Sequence, residues 1–140
     1  MSPSVLILDT HIWLWVINGD VEQLSETTLK AIKLASRGGI LGVSAISVWE
    51  IGMLEAKGRI HFRQVCIDWV RSALSAPGLR LLPLTPEIAI ESSRLPGAIH
   101  GDPADRILAA TSRIMGATLV TKDRQLLDYG AQSFISVLAG

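Results

Sequence analysis

Residues 5–10 have the sequence VLILDT, a continuous apolar run that stops at the carboxylate of Asp9. Short runs of valine, leucine and isoleucine predict a strand that is buried on both faces, which is typical of parallel sheets. A tryptophan-rich stretch with helical character follows Thr10. A strand that leads directly into a helix is the first unit of an α/β fold, in which parallel strands are joined by helical crossovers.

The rest of the chain continues this alternation of strands and helices. Further strands are predicted at residues 40–44, 79–82 and 117–121, with an edge strand at 133–137. Helices are predicted at residues 24–37, 45–57, 62–76, 86–94 and 103–115, with a short helical turn at 123–128. Ser25 suits an N-cap and Gly58 suits a helix end, which helps to set two of these boundaries. The pattern predicts an α/β domain whose central parallel sheet is covered by helices on both faces.

The composition is that of an ordinary globular domain. With 140 residues, 49% of them hydrophobic, the chain is predicted to form one domain over residues 1–140. Acidic and basic residues balance at 13 each, so the net charge gives no argument for a nucleic-acid partner. Cys66 is the single cysteine, which excludes an internal disulfide. No stretch reaches the roughly 20 apolar residues of a membrane span, and we predict a cytoplasmic protein with no membrane partner.

Two aspartates follow predicted strands. Asp9 comes directly after the first strand, and Asp123 lies two residues after the strand at 117–121. In an open parallel sheet, ligand sites form beyond the carboxyl ends of the strands, near the point where the strand order reverses. Both acids should therefore lie at the same edge of the sheet. Taken alone, each of them is better explained as a helix N-cap.

Glu50 lies within the apolar helical segment at 45–57, where Ile46, Trp49 and Met53 are its neighbours on the helix surface. Its side chain is therefore expected on the side of the helix that faces the core. An ionised carboxylate is rarely buried unless it is paired or binds a metal. The position favours a functional role over a simple pair with an arginine at the rim of the core.

Asp102 and Asp105 frame Pro103 at the start of the helix predicted at 103–115. An aspartate followed by proline is typical of an N-cap and the first helical position, so Asp102 is interpreted as the cap. Asp105 falls in the first turn, where it suits the helix dipole and can also face the sheet edge. The candidate site therefore consists of Asp105 with Asp9, Glu50 and Asp123. Whether Asp102 joins them is left open.

Several carboxylates at one sheet edge repel each other, and each raises the proton affinity of the others. A hard divalent cation such as Mg²⁺ or Mn²⁺ removes this repulsion, and it is bound by carboxylates, water and substrate phosphate. Zinc is disfavoured because the candidate site has no cysteine and no paired histidines. The residues alone therefore predict metal-dependent chemistry on a phosphate group.

Four motifs occur in the order and spacing of a PIN domain. They are VLILDT at residues 5–10, SAISVWE at 44–50, DPADRILAA at 102–110 and LVTKD at 119–123. Each motif is short, but the four in this order are fairly specific, and the resemblance extends over residues 6–134. Within that family, the chain resembles the VapC-type toxins of bacterial and archaeal toxin–antitoxin pairs.

This resemblance implies a three-layer α/β/α sandwich with a central parallel sheet, and an endoribonuclease toxin that depends on Mg²⁺ or Mn²⁺. It implies that metal-activated water hydrolyses an RNA phosphodiester bond, that a VapB-type antitoxin is the inhibitory partner, and that the chain forms a homodimer. Thr10 and Thr121 match small polar positions that support the acids. The same four carboxylates are implied to be both the catalytic residues and the metal ligands: Asp9, Glu50, Asp105 and Asp123.

Two other functions stay open. One is a catalytically weak PIN-like module that binds RNA or protein, although the presence of all four acids argues against it. The other is a metal-dependent phosphatase with Asp9 as the nucleophile. That chemistry generally needs a second acid two residues later, where His11 stands.

The remaining polar and aromatic residues carry weaker predictions. Lys122 and Arg124 are the best candidates for contacts with RNA phosphates because they flank Asp123. His11 and His100 are interpreted as hydrogen-bonded loop residues. The four tryptophans are interpreted as core or interface residues rather than surfaces for base stacking.

Overall fold

A five-stranded sheet forms the centre of the protein. The structure is a computed structural model that describes residues 5–99 and 101–140, so the interpretation of His100 lies outside the described residues. All neighbouring strands are parallel, and they lie in the order β3-β2-β1-β4-β5. The strands are β1 (Val5–Leu8), β2 (Ile40–Ser44), β3 (Leu79–Leu82), β4 (Thr118–Thr121) and β5 (Ser136–Ala139). The predicted parallel sheet is confirmed.

Helices connect the strands and lie on both sides of the sheet. They are α1 (Thr10–Asn18), α2 (Glu26–Gly38), α3 (Ala45–Ala56), α4 (Cys66–Leu74), α5 (Pro86–Ser93), α6 (Pro103–Met115) and α7 (Arg124–Ala131), with a 3₁₀ turn at Val21–Gln23. In the part of the chain that the structure describes, no helix is long and apolar enough to cross a membrane.

Strand β1 shows why the domain has three layers. Its side chains alternate between the two faces of the sheet, as the pleat of a strand requires. Leu6 and Leu8 enter one apolar core, with Trp13 of α1 among its members. Ile7 enters a second core on the opposite face, which includes Leu108 of α6. Because both faces of β1 are fully covered, the strand is apolar at every position, and the three-layer α/β/α architecture is confirmed.

The strand order also fixes where a site can form. The chain first builds β1, β2 and β3 outwards in one direction and then returns to place β4 on the other side of β1. The order therefore reverses between β1 and β4, and a crevice opens beyond the carboxyl ends of these two strands. Asp9 and Asp123 lie at this edge, one directly after β1 and the other two residues after β4.

Three element boundaries differ from the prediction by three residues or more. Helix α4 begins at Cys66 rather than at residue 62, because Phe62 contributes apolar surface without being helical and stacks on Trp69 at a centroid distance of 4.5 Å. Helix α7 continues to Ala131, beyond the predicted turn. Strand β5 spans Ser136–Ala139, three residues later than predicted at its start, because pairing with β4 sets its position.

Candidate active site

Asp9 is the most buried of the candidate acids, with 9% of its surface exposed. Its backbone N–H donates to the carbonyl of Val120 (3.0 Å), which fixes it between β1 and β4. Its Oδ1 accepts from the backbone N–H of Thr10 (2.7 Å), and its Oδ2 accepts from the hydroxyl of Thr121 (2.6 Å). Asp9 therefore caps α1 and is held at both carboxylate oxygens by neutral donors.

Thr121 links two of the candidate acids. While its hydroxyl donates to Asp9, the same oxygen accepts the backbone N–H of Asp123 at 2.9 Å. Thr121 is fully buried, so its hydroxyl position is fixed by packing as well as by these two bonds. The orientation of Asp9 and the backbone position of Asp123 therefore depend on the same hydroxyl group.

Glu50 is held by a second threonine. The hydroxyl of Thr10 lies 2.5 Å from Oε1 of Glu50 and 2.8 Å from the hydroxyl of Ser47, which precedes Glu50 by almost one turn of α3. A threonine hydroxyl has a single proton, and an ionised carboxylate can only accept. Thr10 therefore donates to Glu50, and Ser47 donates to Thr10. This chain of hydroxyl groups joins the start of α1 to α3.

The other three aspartates belong to the starts of α6 and α7. Oδ1 of Asp102 accepts from the backbone N–H groups of Ala104 (2.9 Å) and Asp105 (3.2 Å), which confirms that Asp102 is the N-cap of α6. Asp123 caps α7 in the same way, with Oδ1 accepting from the second and third residues that follow it. Asp105 lies in the first turn of α6, as predicted.

All the candidate acids line one cleft of about 400 Å³ at the carboxyl edge of the sheet. Asp102 lines the same cleft, and so do His11, Ile12, Trp15 and Lys122. Within the described residues, no three acidic, histidine or cysteine side chains are grouped closely enough to hold a metal ion as they stand. Asp9, Glu50, Asp105 and Asp123 nevertheless line the same cleft, and their joint binding of a metal stays a prediction.

The electrostatics of the cleft favour a cation. Burial raises the pKa of Asp9, the hydroxyl of Thr121 opposes this rise, and the charge of Asp123 adds to it. Burial also raises the pKa of Glu50, and the charges of Asp9 and Asp102 raise it further. Among the described residues, neither Asp9 nor Glu50 forms a salt bridge. Carboxylate oxygens that repel each other are suitable ligands for a hard cation such as Mg²⁺, which is typically bound by one or two carboxylates and several waters.

Size alone does not identify this cleft. A larger depression of about 600 Å³ is lined by residues from α6 and from the segment that leads into β5. It contains the ion pair between Arg113 and Glu91, whose closest atoms are 2.7 Å apart. The acidic cleft is distinguished by the number of carboxylates that line it and by its position at the switch point of the sheet.

Two residues near the site lie elsewhere than predicted, and a third residue of the site was not predicted. Trp49 was expected on the core-facing side of α3 with Glu50, but 53% of its surface is exposed. His11 was interpreted as a loop residue, and it lies instead in the first turn of α1 on the wall of the cleft. Ser47 was not predicted to contribute. The available signal was a serine three residues before Glu50, where two helical side chains share a face.

The comparisons with known proteins agree with this architecture. Residues 6–132 match the model of the PIN domain family. The chain is 34% identical over 123 residues to Ribonuclease VapC22 of Mycobacterium tuberculosis (strain ATCC 25618 / H37Rv), a match that covers 88% of this chain and 90% of the relative.

Solved structures show the same fold. A crystal structure of VapBC2 from Rickettsia felis bound to a DNA fragment from their promoter contains a chain that matches with a TM-score of 0.69 and 16% identity, covering 96% of this chain and 98% of that one. A chain in the crystal structure of DNA-bound VapBC from Salmonella typhimurium matches with a TM-score of 0.68 and 17% identity. This match covers 99% of this chain and 98% of that one. At such low identity these structures support the fold alone.

Proposed function

The chain belongs to the PIN domain family, and on that premise we propose that it is a metal-dependent endoribonuclease that acts as the toxin of a toxin–antitoxin pair. The observation that carries the proposal is the cleft at the switch point of the sheet. Around one space it places Asp9 and Glu50, which are held by threonine hydroxyls, together with Asp105 and Asp123. The named relative that covers most of the chain is a ribonuclease.

The carboxylate groups that line the cleft are the ligand type that a hard divalent cation prefers. In this proposal, Mg²⁺ or Mn²⁺ would be held by Asp9, Glu50, Asp105 and Asp123. When bound, such an ion lowers the pKa of a coordinated water and offsets the negative charge of the phosphate under attack. Each carboxylate oxygen has about two lone-pair positions, and each oxygen of Asp9 accepts one hydrogen bond from the protein. Asp9 therefore keeps acceptor capacity at both oxygens while it is held in a fixed orientation.

The protein's own residues supply orientation before any substrate arrives. Thr121 fixes Asp9, and Thr10 fixes Glu50, through hydrogen bonds of 2.6 and 2.5 Å. Mutation of a residue that hydrogen-bonds to a metal ligand typically lowers metal affinity or activity by about 10- to 100-fold. The threonines therefore act as positioning residues for the candidate ligands.

The direct test is cleavage of single-stranded RNA by the purified protein in Mg²⁺ and in EDTA. We expect cleavage in Mg²⁺ alone, with 5′-phosphate and 3′-hydroxyl ends on the products. Asp9→Asn should abolish cleavage while the protein stays folded, as judged by circular dichroism. A matched control is Asp128→Asn, since Asp128 is an exposed carboxylate of α7 that pairs with Arg124 at 3.6 Å and does not line the cleft.

The outcomes separate this function from its alternatives. Metal-dependent cleavage that persists in Asp9→Asn would rule out the assignment of the site. Absence of RNA cleavage by the unchanged protein, combined with RNA binding, would indicate a binding module. Hydrolysis of a generic phosphomonoester in place of RNA would indicate a phosphatase.

The partner that follows from this function is an antitoxin of the VapB type. Several solved structures that share this fold are of VapBC or FitAB proteins, and one from Klebsiella pneumoniae is a toxin–antitoxin complex. If a small DNA-binding protein is encoded next to this gene, coexpression of the two chains followed by copurification tests this partner. A homodimer and a cytoplasmic location are also proposed, and light scattering of the purified protein measures the oligomeric state.

A further inference from the structure

One part of the acidic cleft is not acidic. His11 and Trp15 of α1 line it together with Lys122, which follows β4. We call these three side chains the aromatic wall. His11 and Trp15 are four residues apart in a helix, so they lie on the same face. Because the cleft also contains all the candidate acids, a substrate bound at those acids also reaches the aromatic wall.

The aromatic wall is held in a defined arrangement. The rings of His11 and Trp15 have centroids 6.3 Å apart and are tilted by 52°. The ammonium group of Lys122 lies 5.4 Å from the centroid of the Trp15 ring, within the range of a cation–π contact. The same group donates to the backbone carbonyl of Gln23. An ammonium group has three protons, so two of them stay available for a further acceptor.

Trp15 differs from the other tryptophans in its surroundings. Trp13 and Trp69 are buried in the core and stand 5.4 Å apart, centroid to centroid. Trp49 is exposed but does not line the cleft. Of the four tryptophans, only Trp15 is a partly exposed ring beside the candidate acids. Trp15 also packs against the apolar core that contains Trp13, so the predicted core packing is confirmed for part of its surface, while another part lines the cleft.

Charge explains why such a wall is needed. The chain has no net charge, and the cleft is lined by five acids and one lysine. Proteins usually gain affinity for nucleic acid by neutralising phosphates with basic residues, and that contribution is small here. A nucleobase is neutral, so it can stack on an aromatic ring without meeting the repulsion that phosphates meet. Stacking of this kind needs a base that is neither paired nor stacked within a nucleic-acid duplex, as in single-stranded RNA.

We propose that the aromatic wall is a binding subsite for one unpaired nucleobase next to the cleaved phosphate, with the base against Trp15 and His11 and a flanking phosphate on Lys122. This inference rests on the proposed ribonuclease function and specifies its substrate as a single-stranded segment. Trp15 is thus a substrate-positioning residue, and the preference is for unpaired bases of any type, because every base has a face that can stack.

The kinetic test compares tryptophan variants on a short single-stranded RNA. Trp15→Leu should raise KM about tenfold with little change in kcat, and Trp15→Phe should restore most of the affinity because it retains a ring. Trp49→Leu is the matched control and should leave both constants unchanged. His11→Ala should raise KM by a smaller factor, and it tests the wall without a risk to folding because His11 is exposed.

A binding test separates this inference from the proposed function. In the Asp9→Asn background, anisotropy of a labelled oligonucleotide should show about tenfold weaker binding when Trp15→Leu is added, and an abasic residue in the oligonucleotide should remove that difference. This measurement stands even if the protein cleaves no RNA. Unchanged KM and unchanged binding in Trp15→Leu and His11→Ala would overturn the inference. So would a loss confined to antitoxin affinity, which would assign the wall to a protein partner.

Discussion

Replacing Thr121 by valine tests whether the site is positioned by a single buried hydroxyl. The change removes the hydrogen bond to Asp9 and the acceptor for the backbone N–H of Asp123, while the shape of the side chain is kept. A hydrogen bond to a charged group contributes about 1.5–3 kcal/mol, and an unsatisfied buried N–H adds about 1 kcal/mol or more. The extra apolar burial of valine returns somewhat less than about 1 kcal/mol. We expect Thr121→Val to lower the free energy of unfolding by about 2 kcal/mol.

This loss should depend on pH. Burial already raises the pKa of Asp9 above its ordinary value of 3.8, and the Thr121 hydroxyl opposes that rise. Without the hydroxyl, the pKa of Asp9 in the folded state rises further. A carboxyl group with a raised pKa stabilises the folded state at low pH, and this contribution is lost as the pH rises through that pKa. The destabilisation by Thr121→Val should therefore be largest near neutral pH and shrink in acid.

Urea denaturation in EDTA, followed by circular dichroism from about pH 8 down to about pH 4, measures the effect. Thr121→Ser is the control, because it keeps the hydroxyl and loses a buried methyl group, at a cost of about 1 kcal/mol that should not vary with pH. In Mg²⁺, the valine variant should also lose about 10- to 100-fold in metal affinity. A valine variant that loses less than about 0.5 kcal/mol, or loses the same amount at every pH, would refute this account of the site.

Substitutions at three further positions test other features of the structure. Asp102→Ala should cost about 1 kcal/mol of stability through loss of the α6 cap, while Asp102→Asn should keep the cap. Cleavage that falls in Asp102→Asn would place the carboxylate in the metal site, and full activity would leave it as a cap only. Gly78→Ala should cost about 2 kcal/mol or more in urea denaturation, because Gly78 has φ +78° and a Cβ there would lie 2.1 Å from the carbonyl oxygen of Ser36. Glu50→Gln should raise the Tm in EDTA at about pH 8, since the pKa of Glu50 lies above its ordinary 4.5 and its ionisation opposes folding. Equal Tm values there, or a persisting advantage below pH 4, would contradict that reading.

The strands of the sheet were predictable because the local sequence marks where each of them begins and ends. Strands β1, β2 and β3 have the predicted limits, since each is a short apolar run that stops at a polar or turn residue. Helix α6 was equally well defined. Asp102 and Pro103 begin it, and Gly116 ends it with a φ of +60°. Local chemistry and the tertiary fold agree at these positions, which is the condition under which sequence patterns are reliable.

The structure differs from the sequence-based prediction where long-range packing determines the position of a residue or strand. The position of β5 depends on pairing with β4, and Ser133 in the preceding segment takes a φ of +68° that its residue type does not indicate. That Asp9 and Asp123 lie at one edge of the sheet was predictable, because each of them follows a strand of a parallel sheet. The placement of Trp15 in the cleft and of Trp49 in solvent was not predictable. The two residues lie in similar apolar helical segments, and only the neighbouring elements make their surroundings different.

Capping a helix and lining the cleft are not alternatives for these aspartates. Asp9, Asp102 and Asp123 each cap a helix, and all three line the same cleft. The starts of α1, α6 and α7 therefore converge on one edge of the sheet. The partial positive charge at a helix N-terminus stabilises a nearby carboxylate. Three helix starts thus offset part of the repulsion among the acids in the absence of a cation. The pKa values of Asp9 and Glu50 are still raised, first by burial and then by neighbouring carboxylates, and a bound metal would relieve both costs. A protein built in this way should fold without metal and gain stability when metal binds.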